Sequence, residues 1–220
     1  MAKFSCLVLD HDDTVVQSEA TVNYPCFCRF LERFRPGCVY SYADYLADCG
    51  RMDFARLCRV RFSMTEAELE EEYRFWKDYA STHIPEPYPG MGQLLHACRE
   101  AGVKLCVSSM SSRETILRDY RAHYGLEPDL IFGWELPPQQ RKPSPYAPEQ
   151  IMARFGLLPE QLLVVDDMPS AVPMARAAGC PIAFAGWGRQ AFPQLSQQMN
   201  ELCDYSFFSV SQLEDFLFSV

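Results

Sequence analysis

Two clusters of aspartates each follow a short apolar run, and they are the residues of this sequence best suited to chemistry. The first cluster occupies residues 10–14 (DHDDT) after the run 4–9, and the second occupies residues 166–167 (DD) after the run 162–165. Acidic residues are also common in solvated turns, so either cluster alone says little. Two such clusters would repel each other at close range unless a divalent cation joined them. In both places the acidic cluster directly follows an apolar run, and this match predicts one shared metal site.

A pair of hydroxyls and a lysine supply what a phosphoryl group would need beside such a metal. Ser108 and Ser109 follow a third apolar run, 103–107, and Lys142 precedes Pro143 in a loop-like stretch. Hydroxyl donors and a positive charge are the usual partners of phosphoryl oxygens. In isolation, serine pairs are typical of turns and a lysine before proline is typical of the surface. Together with the aspartates, they indicate phosphate chemistry.

The elements that must position these residues alternate along the chain. The three apolar runs and the run 130–132 are typical of buried parallel strands. Between and after them, helical patterns begin at a capping box on Ser111 and cover residues 148–155 and 170–178, each followed by glycine. We also expect an edge strand and a last helix within residues 197–220. This alternation predicts an α/β fold with a Rossmann-like, doubly wound parallel sheet, whose carboxyl edge would gather the reactive residues.

Residues 16–87 interrupt the alternation. They carry helical patterns without a convincing buried strand, including a capping box from Thr65 to Glu68. Their exit, residues 84–90, is rich in proline and glycine, as in a linker that returns the chain to a core. The sequence thus predicts an α/β core domain formed by residues 1–15 and 88–220, with an all-helical cap domain inserted at residues 16–87.

Composition limits the partners and the compartment. The chain has 220 residues, 48% of them hydrophobic, and a formal net charge of -9. Because this field repels polyanions, we expect neither nucleic acid nor a membrane as a partner. The apolar start is too short for a signal peptide or a membrane span, and the ten cysteines are scattered without a C-x-x-C pair. We therefore expect a cytoplasmic protein with reduced thiols, either a monomer or a homodimer.

The order of these motifs resembles the haloacid dehalogenase-like superfamily, in its phosphatase and phosphoglucomutase-like subfamily with a helical cap. The matching residues are, in order, Asp10-x-Asp12-x-Thr14, Ser108, Lys142-Pro-x-Pro145 and Asp166-Asp167. The resemblance implies a magnesium-dependent phosphatase that hydrolyses a small phosphate monoester, of the phosphoglycolate, sugar-phosphate or nucleotide-phosphate type. Asp12 favours ester hydrolysis, because members that dehalogenate or cleave phosphonates lack an acid at this position.

The resemblance also implies the roles of the catalytic residues. Asp10 would attack phosphorus and form an aspartyl-phosphate, and Asp12 would protonate the leaving alcohol and then deprotonate the attacking water. Ser108, together with the backbone of Ser109, would hold a phosphoryl oxygen. Lys142 would contact the phosphate and offset the charge of the nucleophile.

The same resemblance implies a set of magnesium ligands. Mg²⁺ would be held by Asp10, the backbone carbonyl of Asp12 and Asp167, while Asp166 would bind the waters of the metal or serve as an alternative ligand. Asp13 departs from the family pattern, since glycine is usual at this position, and so does Met168, where a small polar residue is common. Two alternatives stay open, a sugar-phosphate mutase of the same family and a catalytically weak phosphate-binding or regulatory protein on this fold.

Overall fold

The structure is a computed structural model that describes residues 2–49, 51–52, 54–190 and 192–219. The chain divides into two compact units. One unit comprises Met1–Val16 together with Pro87–Val220, and the other comprises Gln17–Glu86. Each unit is built on its own secondary structure, and the aspartate clusters, the serine pair and the lysine all belong to the first.

The first unit contains a six-stranded parallel sheet with the strand order β3-β2-β1-β4-β5-β6. The strands are β1 (Cys6–Leu9), β2 (Lys104–Ser108), β3 (Leu130–Phe132), β4 (Leu162–Asp166), β5 (Ile182–Ala185) and β6 (Tyr205–Phe207). This topology confirms the predicted Rossmann-like, doubly wound sheet. The strand β5 was not predicted, because two of its four residues are alanine, which is depleted in strands, and a proline precedes it.

The helices are α1 (Tyr24–Phe34), α2 (Tyr42–Cys49), α3 (Phe54–Phe62), α4 (Glu66–Thr82), α5 (Met91–Glu100), α6 (Arg113–Tyr124), α7 (Tyr146–Phe155), α8 (Ala171–Ala178), α9 (Pro193–Leu202) and α10 (Val210–Phe218). In the first unit they accompany the sheet and cover two apolar clusters, one around Leu9 and Val107 and the other around Val8 and Val164. Successive strand residues point to opposite faces, so each face of the sheet has its own core. Among the described residues, no helix is both long and apolar enough to cross a membrane.

The second unit holds α1 to α4, which confirms the predicted all-helical insertion. Thr65 caps α4 as predicted, because its side chain accepts the amide of Glu68 while the Glu68 carboxylate accepts the amide of Thr65. The buried ring of Phe27 packs edge-on against Phe54 and Phe62. Aromatic packing inside this unit therefore supplies its core.

The capping box predicted to begin at Ser111 is wrong by one residue. The residue that caps α6 is Ser112, whose hydroxyl accepts the amide of Thr115. Its neighbour Ser111 is thereby left outside the helix, with its side chain available for another contact. The ten cysteines carry free thiols.

Candidate active site

Three neighbouring strands end in residues with functional side chains. The register pairs Leu9 of β1 with Val107 of β2 and with Val165 of β4. The residues that follow these three along the chain, Asp10, Ser108 and Asp166, therefore lie together at one edge of the sheet. The strand order reverses beside β1, and the carboxyl ends at such a switch point are where ligands bind in doubly wound sheets.

Three aspartates meet at this edge. Carboxylate oxygens of Asp10, Asp166 and Asp167 lie within 4.8 Å of one another, and all three side chains are buried. Burial raises the pKa of Asp166 to about 7, although Lys142 opposes the shift. Burial likewise raises the pKa of Asp167 to about 6 against the effect of Arg189. The two neighbouring cations therefore do not fully compensate the cost of burying these negative charges.

Lys142 is the cation that lies between Asp10 and Asp166 in this cluster. Its Nζ lies 2.7 Å from Oδ2 of Asp166 and 2.9 Å from Oδ1 of Asp10, and its side chain is only 4% exposed. Burial opposes the charge on the ammonium, but the two carboxylates outweigh it and raise the pKa of Lys142 above the ordinary lysine range. The amine is therefore protonated and its charge points at the strand ends.

The aspartate cluster fits a magnesium ion. Oδ1 of Asp10 is buried, and no described residue donates a well-aligned hydrogen bond to it, so its contact with Lys142 is an ion pair only. A buried carboxylate oxygen in this state, beside two further carboxylates, offers the hard oxygen ligands that Mg²⁺ prefers. The side chains able to hold the ion are Asp10 and Asp167, with Asp166 within the same cluster.

Asp12 lies on the same turn and is held by hydroxyls. Its Oδ2 accepts a hydrogen bond of 2.6 Å from Ser111 and a longer one of 3.5 Å from Ser109. The contact with Ser111 joins the turn after β1 to the turn after β2. Sequence reasoning missed Ser111 because the capping box assigned its hydroxyl to a helix end. The signal for it was the run of four hydroxyl and thioether residues, 108–111, directly after a buried strand.

The structure places the two predicted phosphate-binding serines at the same edge. The Ser108 hydroxyl lies 3.7 Å from Sδ of Met174, which is a weak contact, while the amide of Ser109 donates to the carbonyl of Phe132. The amide of Ser109 is thus used by the sheet, and only its hydroxyl is oriented toward Asp12. Both serines are nearly fully buried.

A second cation, Arg189, was not predicted. Its Nε and Nη2 lie 2.6 Å and 2.5 Å from Oδ2 of Asp167, and its Nη1 lies 2.9 Å from Oδ2 of Asp13. Asp13 itself has a left-handed φ of 52° and is buried. A buried carboxylate in place of glycine demands a nearby cation, which was the signal in the sequence. The chain has 20 lysines and arginines, and nothing in their spacing singled out this one.

His11 supports the turn through a buried contact with α6. Its Nε2 lies 3.0 Å from Oδ2 of Asp119, and both side chains are fully buried. The carboxylate of Asp119 also accepts a 2.7 Å hydrogen bond from Nε of Arg118. This contact with Asp119 anchors the turn after β1 to α6.

Comparisons with known proteins find phosphatases among the similar sequences. The chain is 33% identical over 141 residues to a phosphoglycolate phosphatase from Rhodospirillum rubrum, which covers 60% of this chain and 54% of that protein. The chain thus spans just over half the length of the phosphoglycolate phosphatases it matches. It is 24% identical to the pyrophosphatase PpaX from Halalkalibacterium halodurans over 84% of this chain and 85% of that protein.

Solved structures and a family profile extend the comparison. A HAD family hydrolase from Deinococcus radiodurans, determined with bound phosphate and sodium, has a TM-score of 0.76 at 17% identity, over 100% of both chains. CbbY from Rhodobacter sphaeroides, in complex with phosphate, has a TM-score of 0.66 at 16% identity, over 96% of both chains. These likenesses concern the fold. The profile of haloacid dehalogenase-like hydrolases matches residues 4–179, most of the length of the sequence, and the chain therefore belongs to the haloacid dehalogenase-like hydrolase family.

Proposed function

We propose that this protein is a magnesium-dependent phosphatase that hydrolyses a small phosphate monoester through an aspartyl-phosphate on Asp10. The observation that carries the proposal is the buried Oδ1 of Asp10, which receives no aligned hydrogen bond from the described residues while Lys142 and two further aspartates surround it. A carboxylate in this state is suited to bind a cation through one oxygen and to attack phosphorus through the other. Mg²⁺ bound here would supply positive charge to the phosphoryl oxygens and to the nucleophile.

In the first step, a carboxylate oxygen of Asp10 forms a bond to phosphorus as the bond from phosphorus to the ester oxygen breaks. The departing alkoxide takes a proton from Asp12, which Ser111 holds at 2.6 Å. The electron pair of the broken bond leaves with the alcohol. Lys142, 2.9 Å from Asp10, reduces the repulsion between the anionic nucleophile and the anionic ester.

In the second step, water attacks phosphorus and Asp12 accepts its proton. The bond between phosphorus and Asp10 breaks, which releases inorganic phosphate and restores the carboxylate of Asp10 and the protonated carboxyl group of Asp12. The Ser108 hydroxyl, whose present contact with the Met174 sulfur is weak, is free to donate to a phosphoryl oxygen in either step. The two aspartates of the first turn thus divide the work, one as nucleophile and one as acid and base.

The relatives suggest where to look for the substrate. Phosphoglycolate phosphatases and a pyrophosphatase are among the similar proteins, so 2-phosphoglycolate and pyrophosphate are the first compounds to test. We propose that residues 16–87 act as a cap that selects the substrate, and that residues 1–15 and 88–220 carry the chemistry. We expect the substrate to be a small phosphorylated metabolite.

The test is phosphate release by the purified full chain from 2-phosphoglycolate, pyrophosphate, sugar phosphates and nucleotides, each with Mg²⁺ and with a chelator. We expect turnover of at least one compound, loss of that turnover on chelation and recovery when Mg²⁺ is returned. Rapid acid quenching with radiolabelled substrate should trap label on the protein, and Asp10→Asn should trap none. Turnover that ignores the chelator, or turnover of none of these esters, would refute the proposal. Product analysis on sugar phosphates separates hydrolysis from transfer to another carbon of the same sugar.

A further inference from the structure

Asp13 adds a buried carboxylate to an edge that is already strongly acidic. Its side chain is nearly fully buried, and four other aspartates lie on the same edge, namely Asp10, Asp12, Asp166 and Asp167. A buried carboxylate is costly unless a cation accompanies it. The charge of Asp13 must therefore be offset locally for the unit to fold without a metal.

Arg189 supplies that offset and at the same time holds a predicted magnesium ligand. The guanidinium reaches Asp13 through Nη1 and Asp167 through Nε and Nη2, at distances of 2.5 to 2.9 Å. Both Arg189 contacts with Asp167 fall on Oδ2, whereas Oδ1 receives only a 3.3 Å bond from Thr14. One guanidinium is thus shared between an aspartate of the metal cluster and an aspartate outside it.

The backbone fixes this sharing. A Cβ on Gly188 would lie 2.0 Å from the carbonyl oxygen of Asp13, so the loop after β5 can approach the turn after β1 only with glycine at this position. Nε1 of Trp187 donates a 3.0 Å hydrogen bond to the carbonyl of Thr14. Two contacts on the residues just before Arg189 therefore hold its side chain against the aspartates.

We propose that Arg189 is a built-in competitor of the metal ion at Asp167 and that Asp13 restrains this competition, so that the pair sets the magnesium affinity of the site. Arg189 places a positive charge within hydrogen-bond reach of a ligating carboxylate, which opposes a second cation there. Asp13 withdraws part of that charge. Asp13 adds one negative charge and Arg189 adds one positive charge, so the two residues together change the net charge of the edge very little. This inference rests on the magnesium site proposed above and not on the identity of the substrate.

The experiment is a calorimetric titration of Mg²⁺ into the full chain at pH 8. The variants are Asp13→Asn, Arg189→Gln and the two combined, because asparagine tolerates a left-handed φ and glutamine keeps much of the length. The matched control is Arg176→Gln. That arginine makes the same kind of contact, 2.8 Å to Asp204, but Asp204 precedes β6 and so lies at the amino edge of the sheet, away from the site.

We expect Arg189→Gln to bind Mg²⁺ about tenfold more tightly than the parent and Asp13→Asn about tenfold more weakly, by the charge argument above. The double variant should return to within about threefold of the parent, and Arg176→Gln should stay within about twofold. If Arg189→Gln fails to fold, the double variant compared with Asp13→Asn measures the same removal of charge and should show the same gain. Unchanged or weaker binding after removal of Arg189, in a parent that does bind Mg²⁺, would overturn this inference alone. A parent that binds no Mg²⁺ would overturn the proposed metal site as well.

Discussion

The carboxyl edge of the sheet has two halves, and each half has one buried cation that bridges two aspartates. Lys142 bridges Asp10 and Asp166, and Arg189 bridges Asp13 and Asp167. An ammonium is a compact charge with three donors that can turn toward a new anion, whereas a guanidinium is a planar fork that holds carboxylates in fixed positions. The lysine half therefore suits an incoming phosphate, and the arginine half suits a permanent balance of charge.

The two cations also differ in how they are anchored. Lys142 follows a loop with a single turn of 3₁₀ helix, Pro138–Gln140, and its side chain enters the edge from there. Arg189 sits in a turn that Gly188 and Trp187 press against the turn after β1. Catalytic side chains often lie on loops at the end of a rigid sheet, because the sheet holds the loop in position and the loop supplies the reactive side chain. The difference indicates that removing Lys142 should mainly affect turnover, while removing Arg189 should mainly affect metal binding.

The largest effect should follow from removing the nucleophile of the lysine half. Asp10→Asn keeps the shape of the side chain but removes the attacking charge, so kcat for any phosphate ester should fall at least ~10³-fold. Steady-state phosphate release at saturating Mg²⁺ measures this. Asp204→Asn, at the amino edge of the sheet, is the matched control and should remain within about twofold of the parent. Near-normal turnover in Asp10→Asn would remove the basis for the proposed mechanism.

The next effect compares the two cations directly. Lys142→Met should lower kcat/KM by about 10²-fold, because the phosphate loses a charge-assisted contact as it approaches the anionic nucleophile. Arg189→Met at saturating Mg²⁺ should lower kcat/KM by less than about tenfold. Both variants leave buried carboxylates without a bridging cation, so each should lose about 3–5 kcal/mol of unfolding free energy in chelator. Denaturant titration measures the second quantity. Equal losses of kcat/KM in the two variants would contradict the division of labour between the halves.

A smaller effect follows from pH. The raised pKa values of about 7 for Asp166 and about 6 for Asp167 mean that the folded, metal-free protein binds protons that the unfolded chain releases. The contribution of these two groups to the unfolding free energy should therefore be largest below about pH 4 and should fall as the pH rises toward 7.

Protons also compete with Mg²⁺ for these carboxylates, so the Mg²⁺ affinity should rise about tenfold or more between pH 5.5 and 8. Calorimetry at several pH values checks this, with Asp166→Asn expected to give a shallower slope. A flat affinity profile would show that these carboxylates are ionised throughout.

The lysine half and the two aspartates of the arginine half could be predicted from the sequence, and Arg189 could not. Asp10, Lys142, Asp166 and Asp167 follow apolar runs or precede a proline in an order that resembles a known family, and the structure brings them to one edge. Their assignment to catalysis and metal binding remains a proposal. Parallel strands force residues that are distant in sequence to meet at their carboxyl ends, which is why apolar runs followed by acids were informative.

Arg189 follows β5, which was not predicted, so the position of its turn was unknown. Asp13 was recognised as an extra charge, but its cation depended on the close approach of Gly188, which is a tertiary contact. Ser111 was misassigned because two adjacent serines offered two possible caps, and only the observed start of α6 distinguishes them. In each case the missing information was the position of a loop relative to the turn after β1, which local sequence patterns do not encode.

The smallest effect concerns Ser111 and separates its role from that of its neighbour. The hydroxyl of Ser111 donates a 2.6 Å hydrogen bond to Asp12 and so orients the carboxyl group that protonates the leaving alcohol. Ser111→Ala should lower kcat about three- to tenfold on an alkyl phosphate, but less on p-nitrophenyl phosphate, whose leaving group needs little protonation. Ser112→Ala removes the cap of α6 and should cost about 1 kcal/mol of unfolding free energy without any dependence on the leaving group. The ratio of kcat on the two substrates, measured for both variants and for Asp12→Ala, decides between them. If Ser111→Ala lowers kcat equally on both substrates, as a variant with only a folding defect would, then Ser111 supports the turn and does not position the acid.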